Sequence, residues 1–378
     1  MNRSIPRRLA VLAVAAGLST FAVACGGDDE SPAPPAKEGS VPAAETSGLK
    51  AETAELLKRP VKIGITEPIE GGVPKGKTIA FLQCGLPDCA QIGDILEKGA
   101  ALLDWKIERV QTGLTPETIK AGWAEALRRK PDGIIQTGSP EPSIYADEIA
   151  QAKDGKIPVA AFAELTEGPE FLVSVQSASG YVEKMLQAAA KYVAAEFGEG
   201  KTLVVDVPGI QIIQDEVRAF KEQLATSCPK CEVDTVEIPP ASIGKDAAAK
   251  IANHIQGNPG TDSLVLTLPD VALGLPAALA SVGIQDLPTV MAGNNPATLQ
   301  LLEKGEGGLK ASVQGLTVDG SYRLLDALAR HFKGMPVDVD KDATAPFWII
   351  PSSDVPSERP LPMVSDVEKQ FAALWGVG

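Results

Sequence analysis

Histidine is scarce in this chain: of 378 residues only His254 and His331 carry an imidazole. Each stands near the end of an expected helix, where a partly charged ring complements the helix dipole and needs no catalytic role. No H-E-x-x-H pattern or nucleophile elbow is present, and the serines lack a recognisable partner. Carboxylates are many but scattered, so spacing picks out no glycosidase-type pair. Positive charge is also in short supply, with 35 Lys and Arg against 49 Asp and Glu and a formal charge of −14, a balance that repels nucleic acid. The apolar run Leu9 to Leu18 is too short to span a bilayer as a stable helix. What remains is 44% hydrophobic and 22% charged, the composition of a globular protein with enough length for two core-bearing lobes.

The amino-terminal segment reads as an export signal over residues 1–24. Arg3, Arg7 and Arg8 precede the apolar run, and small residues Ala22, Val23 and Ala24 stand before Cys25. The quartet Ala22-Val23-Ala24-Cys25 resembles a bacterial lipobox, which implies that Cys25 becomes the lipidated first residue; an ordinary secretory signal with a chance cysteine is the alternative. Residues 26–48 carry almost no large apolar side chain and are expected to form a flexible tether. Loss of residues 1–24, with three arginines and no acid, takes the formal charge from −14 to −17.

The other four cysteines fall in two close pairs, Cys84 with Cys89 and Cys228 with Cys231. In an oxidising compartment such pairs are expected to be short-loop disulfides. A four-sulfur zinc site is the alternative; it fits poorly with an exported chain whose pairs end different segments, and no metal is expected.

From residue 77 short β-rich runs alternate with helical patterns. Thr78 to Leu82 precedes a helix with Ile92, Ile95, Leu96 and Leu103 on one face; Ile107 to Val110 precedes a helix from Pro116 to Arg129; Gly133 to Gln136 precedes a helix over Ser143 to Lys153; Pro158 to Phe162 follows. After Leu172 to Val175 the pattern restarts. Helix faces are marked by Val182, Met185, Leu186, Ala189 and Val193 and by Ile213, Val217, Phe220 and Leu224, with strands at Thr202 to Val205, Ser263 to Leu266 and Thr289 to Met291. Strands separated by helices of this length pair in parallel through crossovers. Two sets predict an α/β fold of two doubly wound, Rossmann-like lobes, with crossings near Gln176, Gln314 and Phe347 and a last strand over Ala345 to Ile350. Gly71-x-x-x-x-Gly76-Lys77-Thr78 satisfies the phosphate-loop formula, but Thr78 should open a strand where that loop must open a helix.

Four segments in order, Pro131-Asp132-Gly133-Ile134-Ile135, Arg218-Ala219-Phe220, Pro269 to Gly274, and Ala311-Ser312-Val313-Gln314 with Gly320 downstream, resemble the ribose-type periplasmic binding family over about residues 76 to 350. The resemblance implies a type I binding protein with three hinge crossings and a ligand between the lobes at the carboxyl ends of the strands, where sheet topology alone also places it. It implies a first lobe of residues 76–176 plus 315–338 and a second of 177–314 plus 339–378, after a lipidated tether over 25–75.

Carried over position by position, the family's sugar-holding groups change. Its Asp and Arg pair after the strand ending at Phe162 becomes Ala163 and Glu164. Its helix Arg becomes Gln214, its Asn becomes Pro269 with Asp270 kept, and its Asp after Met291 becomes Asn294 beside Asn295. Gln314 falls at or next to the hinge Gln. The aromatic pair after the first strand gives way to Cys84-Gly85-Leu86-Pro87-Asp88-Cys89, so the sugar does not carry over with the fold. Amides at Gln83, Gln176, Gln211, Gln214, Asn294 and Asn295 suit hydroxyls or amides of a neutral ligand, and each also suits a helix or turn cap. Phe162 and Trp348 are candidates to stack on a ring or to be core. Cys84, Gly85 and Ser139 complete the candidates at the strand ends. Glu164, if buried, would favour a cation or a donor-rich ligand. The implied function is solute capture for an ABC permease by a monomer held to the membrane through Cys25, without cofactor or catalysis. A sensor presenting its closed form to a membrane receptor is the alternative.

Overall fold

The computed structural model describes residues 43–162, 171–175, 180–337 and 346–377. The export signal, Cys25 and most of the tether lie outside these, as do Glu164 and Gln176.

Helix α1 (Ala43–Leu56) opens the described chain. It takes in the last residues expected in the tether, a correction that follows from a run rich in Ala, Glu, Leu and Lys, all good helix formers. The helix packs against the second lobe, with Thr53 buried near its carboxyl end.

The first sheet holds β1 (Thr78–Gln83), β2 (Lys106–Gln111), β3 (Gly133–Gln136), β4 (Val159–Phe162) and β5 (Val173–Val175), all parallel, in the order β2-β1-β3-β4-β5. Between them run α2 (Pro87–Leu102), α3 (Pro116–Arg128) and α4 (Ala146–Asp154), the last entered through a 3-10 turn at Pro142–Tyr145. Helix α3 starts where it does because Thr115 accepts a hydrogen bond from Thr118 N and Pro116 holds the first position. One face of this sheet packs its own cluster around Trp123, which stacks on Tyr145 with centroids 5.1 Å apart.

The second lobe begins with α5 (Tyr181–Glu196). Its sheet contains β6 (Lys201–Asp206), β7 (Glu232–Glu237), β8 (Ser263–Leu266), β9 (Thr289–Ala292), β10 (Leu309–Val313) and β11 (Ile349–Pro351), in the order β11-β10-β9-β8-β6-β7. All pairs are parallel except β10 with β11. Helices α6 (Gln211–Ser227), α7 (Ala247–Gly257), α8 (Leu275–Ser281) and α9 (Pro296–Lys304) make the crossovers. Strand β7 escapes the sequence patterns because it is an edge strand whose Glu232 and Glu237 face water. Thr78 opens β1 and Lys77 pairs with Asp132 at 2.9 Å, so the phosphate-loop match is a coincidence of letters.

The chain leaves the second lobe after β10 and enters α10 (Thr317–Phe332), which packs on α2, β4 and β5 of the first. It returns to the second lobe at β11. The remainder does not stay there as expected for residues 339–378: α11 (Val367–Trp375) packs on α10. The physical reason is an apolar face that α10 offers, where Tyr322, Phe371 and Trp375 form an aromatic cluster with centroids 5.6 to 6.0 Å apart. Trp375 Nε1 donates to Asp326 Oδ1 at 2.9 Å, and Asp326 also pairs with Arg330 at 2.7 Å, both carboxylate and guanidinium being buried. Residues 57 to 75 form no strand at Val61 to Ile65. They wrap from α1 onto α10 and α11, with Ile69 N donating to Leu374 O at 2.7 Å and Arg330 donating to Glu67 O at 2.6 Å. The terminal segments thus add two spans of chain between the lobes to the three crossings that the strand pattern predicts.

Candidate functional site

The loops that follow parallel strands gather at the carboxyl ends of both sheets, where backbone groups are freed from the ladders and open to a ligand. Here they enclose a cavity of about 120 Å³ lined from both lobes. The first lobe contributes Leu86, Asp88, Cys89 and Ile92 from the start of α2, Thr137 to Ser139 after β3, and Phe162 at the end of β4. The second contributes Val182 and Met185 of α5, Ile210, Ile212, Ile213 and Glu216 around the start of α6, Thr267 to Asp270 after β8, and Ala292 to Asn294 after β9. Gly315 and Thr317 close it at the second crossing. Among the described residues no lining side chain is Lys, Arg or His, and Phe162 is the single aromatic ring.

The first-lobe wall is braced by the Cys84–Cys89 disulfide, whose Cα atoms are 5.6 Å apart. Cys228 and Cys231 form a second disulfide, so neither pair has thiolates to offer zinc. Gly138 lies at φ +91°, and a Cβ there would come within 2.7 Å of Cys84 Cβ, so only glycine lets the loop after β3 approach the disulfide this closely. Thr137 ties that loop down by donating to Leu82 O at 2.7 Å.

Among the described residues three carboxylates stand in the wall. Asp270 accepts from Asn295 Nδ2 at 3.0 Å through Oδ1, while Oδ2 is buried with no partner. Burial pushes its pKa up to about 6, against the opposing pull of the Asn295 hydrogen bond. Burial, reinforced by the charge of Asp270 across the gap, raises Asp88 to about 7, and its Oδ1 is likewise unpartnered. Glu216 is raised well above the ordinary carboxylate range by burial and then by Glu183, and its Oε2 has no partner.

Of the residues the sequence nominated, Ser139, Phe162, Asp270 and Asn294 line the cavity. Asn295 stands behind Asp270 and caps α9 by accepting from Ala297 N and Thr298 N. Gln314 supports Asn294 at the hinge: its Oε1 accepts from Asn294 Nδ2 at 2.6 Å and its Nε2 donates to Leu361 O at 2.8 Å. Gln211 and Gln214 are exposed and reach the rim, beside Ser139. Gln83 turns toward Arg109, whose Nη1 donates to it at 3.3 Å, and Cys84 and Gly85 lie behind the wall that Cys89 faces. Trp348 is buried away from the cavity, donating to Leu57 O at 3.3 Å beneath Arg59.

Sequence reasoning missed Asp88 and Glu216. The signal for Glu216 was present: with Ile213, Val217 and Phe220 it falls on the apolar stripe of α6, where an acid is out of place unless it has a task. Asp88 is marked only by its position inside the Cys84 to Cys89 loop.

No protein-family model matches this chain, and no curated protein matches it. Solved structures do. It is similar to a periplasmic ribose ABC transporter from Conexibacter woesei at 19% identity and TM-score 0.59, over 71% of this chain and 90% of that one. It is similar to an ABC transporter solute binding protein from Agrobacterium vitis with bound allitol at 18% identity and TM-score 0.62, over 74% and 96%. A sugar ABC transporter from Yersinia enterocolitica aligns at 17% identity and TM-score 0.66, over 80% and 96%. The chain therefore has the two-lobed α/β fold of the ribose-type, type I periplasmic binding proteins.

Proposed function

We propose that this protein is an extracytoplasmic solute-binding lipoprotein that closes its lobes around a small polar molecule and delivers it unchanged to an ABC-type permease. The observation that carries the reading is the cavity lined from both lobes, since a solute held there contacts both halves only when they close. Such a solute has higher affinity for the closed arrangement and shifts the equilibrium toward it. The relatives in fold are named as ABC transporter components, which supports the permease partner. The signal and lipobox-like quartet support export and anchoring through Cys25, and among the described residues no helix is long and apolar enough to cross a membrane. The net charge of −14 disfavours nucleic acid as a partner, and we read the chain as a monomer.

The test is a thermal-shift screen of the purified mature chain against sugars, polyols, amines, amino acids and nucleosides, with hits measured by calorimetry and small-angle scattering. A cleft solute raises Tm by mass action and shrinks the radius of gyration. Turnover of the bound solute would mark an enzyme instead. Membrane retention of the wild-type chain and release of Cys25→Ser tests the anchor.

A further inference from the structure

We propose that the solute is a small organic cation, an ammonium group on a compact apolar body, held across the interlobe gap by the carboxylates of Asp88 and Asp270, with Glu216 in the same wall. This deepens the reading above and rests on the interlobe cavity being the solute site.

The hydrogen-bond inventory of the wall decides the chemistry. A sugar hydroxyl both donates and accepts, whereas an ammonium only donates. Several side-chain hydrogens in the wall are committed: Thr137 donates to Leu82 O at 2.7 Å, Thr267 to Val205 O at 2.8 Å, and Asn294 Nδ2 to Ser312 Oγ at 3.2 Å and Gln314 Oε1 at 2.6 Å. Acceptors are the reverse, because Asp88 Oδ1, Glu216 Oε2 and Asp270 Oδ2 have no partner. Glu216 and Asp270 are 5% and 2% exposed, so bulk water does not satisfy those oxygens. Among the described residues, a wall with buried free acceptors, mostly committed side-chain donors and no basic side chain matches a guest that brings hydrogens and positive charge.

Closure gives a second, independent reason. Asp88 rides on the first lobe and Asp270 on the second, and the charge of Asp270 disfavours ionised Asp88. Bringing the lobes together over an empty gap sets like charges against each other in a poorly hydrated space. A cation between them removes both the repulsion and the desolvation penalty, so its affinity is higher for the closed form, which is what closure requires. Ile92, Phe162, Val182, Met185 and Ile213 supply an apolar lining for the rest of the guest. A net charge of −14 draws cations toward the protein at long range.

The experiment measures affinity and Tm at pH 8 for matched pairs in which ammonium replaces hydroxyl, cyclohexylamine with cyclohexanol and putrescine with its diol, with ribose and allitol as polyols. At least one amine should saturate while its alcohol binds ten-fold weaker or worse. Glu216→Gln and Asp270→Asn should each weaken that amine about ten- to a hundred-fold, the usual worth of a charge-assisted hydrogen bond. Asp88→Asn, at a half-buried position that tolerates change, should do the same and covers the case in which a core variant fails to fold. Tight ribose or allitol binding with no amine response overturns the cation while leaving solute capture standing. A panel in which nothing raises Tm overturns both.

Discussion

Arg59 holds its guanidinium 4.9 Å from the ring centroid of Trp348 while pairing with Glu358 at 2.9 Å. Three segments distant in sequence meet there: the wrap after α1, the return crossing before β11, and the tail that leads to α11. The same guanidinium donates to Pro362 O at 3.0 Å, so its loss removes packing and hydrogen bonds together. Arg59→Ala should cost about 2 kcal/mol in urea unfolding, and Arg59→Lys should recover only part, because an ammonium has no planar fork. An unchanged midpoint for Arg59→Ala would show that the wrap contributes nothing to the fold.

Gln314 joins the cavity wall to the tail, taking a hydrogen from Asn294 and giving one to Leu361 O. Gln314→Ala leaves two buried groups unsatisfied, at an expected cost of about 1–3 kcal/mol. Scattering should also show a looser closed form in the presence of solute. Gln314→Glu keeps the acceptor and loses the donor, and it should fall between.

Ligand-free stability should decline as pH rises from about 4 to about 7. Burial raises Asp88 to about 7 and Asp270 and Asp319 to about 6, above the ordinary carboxylate value near 4. Through that window the folded chain keeps protons that the unfolded chain has released, so their stabilising effect is complete at the acid end and is lost as each group ionises. Tm measured from pH 5 to pH 8 without solute should fall, and Asp88→Asn should flatten the upper part of the slope. A Tm that climbs across this range would contradict the burial of these acids.

Reduction of the Cys84–Cys89 disulfide should weaken solute binding more than it lowers Tm, since the bond braces a wall on which Cys89 faces the cavity. The Cys84→Ser, Cys89→Ser double variant is the direct comparison, and an unchanged affinity would remove the loop from the site. Gly138→Ala should disrupt the same wall by forcing a methyl group within 2.7 Å of Cys84 Cβ at a backbone angle that disfavours it.

The architecture was legible because parallel strands buried on both faces read as unbroken apolar runs: Gly133 to Gln136 and Ser263 to Leu266 are strands over those very residues. Edge strand β7 lacked that signature, and α1 and α11 were hidden because their partners are distant in sequence. The site was less legible. Asp270 and Asn294 could be placed by resemblance, but the free acceptors at Asp88 and Glu216 depend on which helix face meets the opposite lobe. Trp348 stood open between a ring for a guest and a core residue, and only the fold reveals that it is core, with Arg59 seated on it.

The wrap from α1 on the second lobe to β1 of the first ties the two lobes by a span separate from the crossings. A pair of bodies joined only by hinges can swing wide, whereas a strap of fixed length across them caps the angle of reopening.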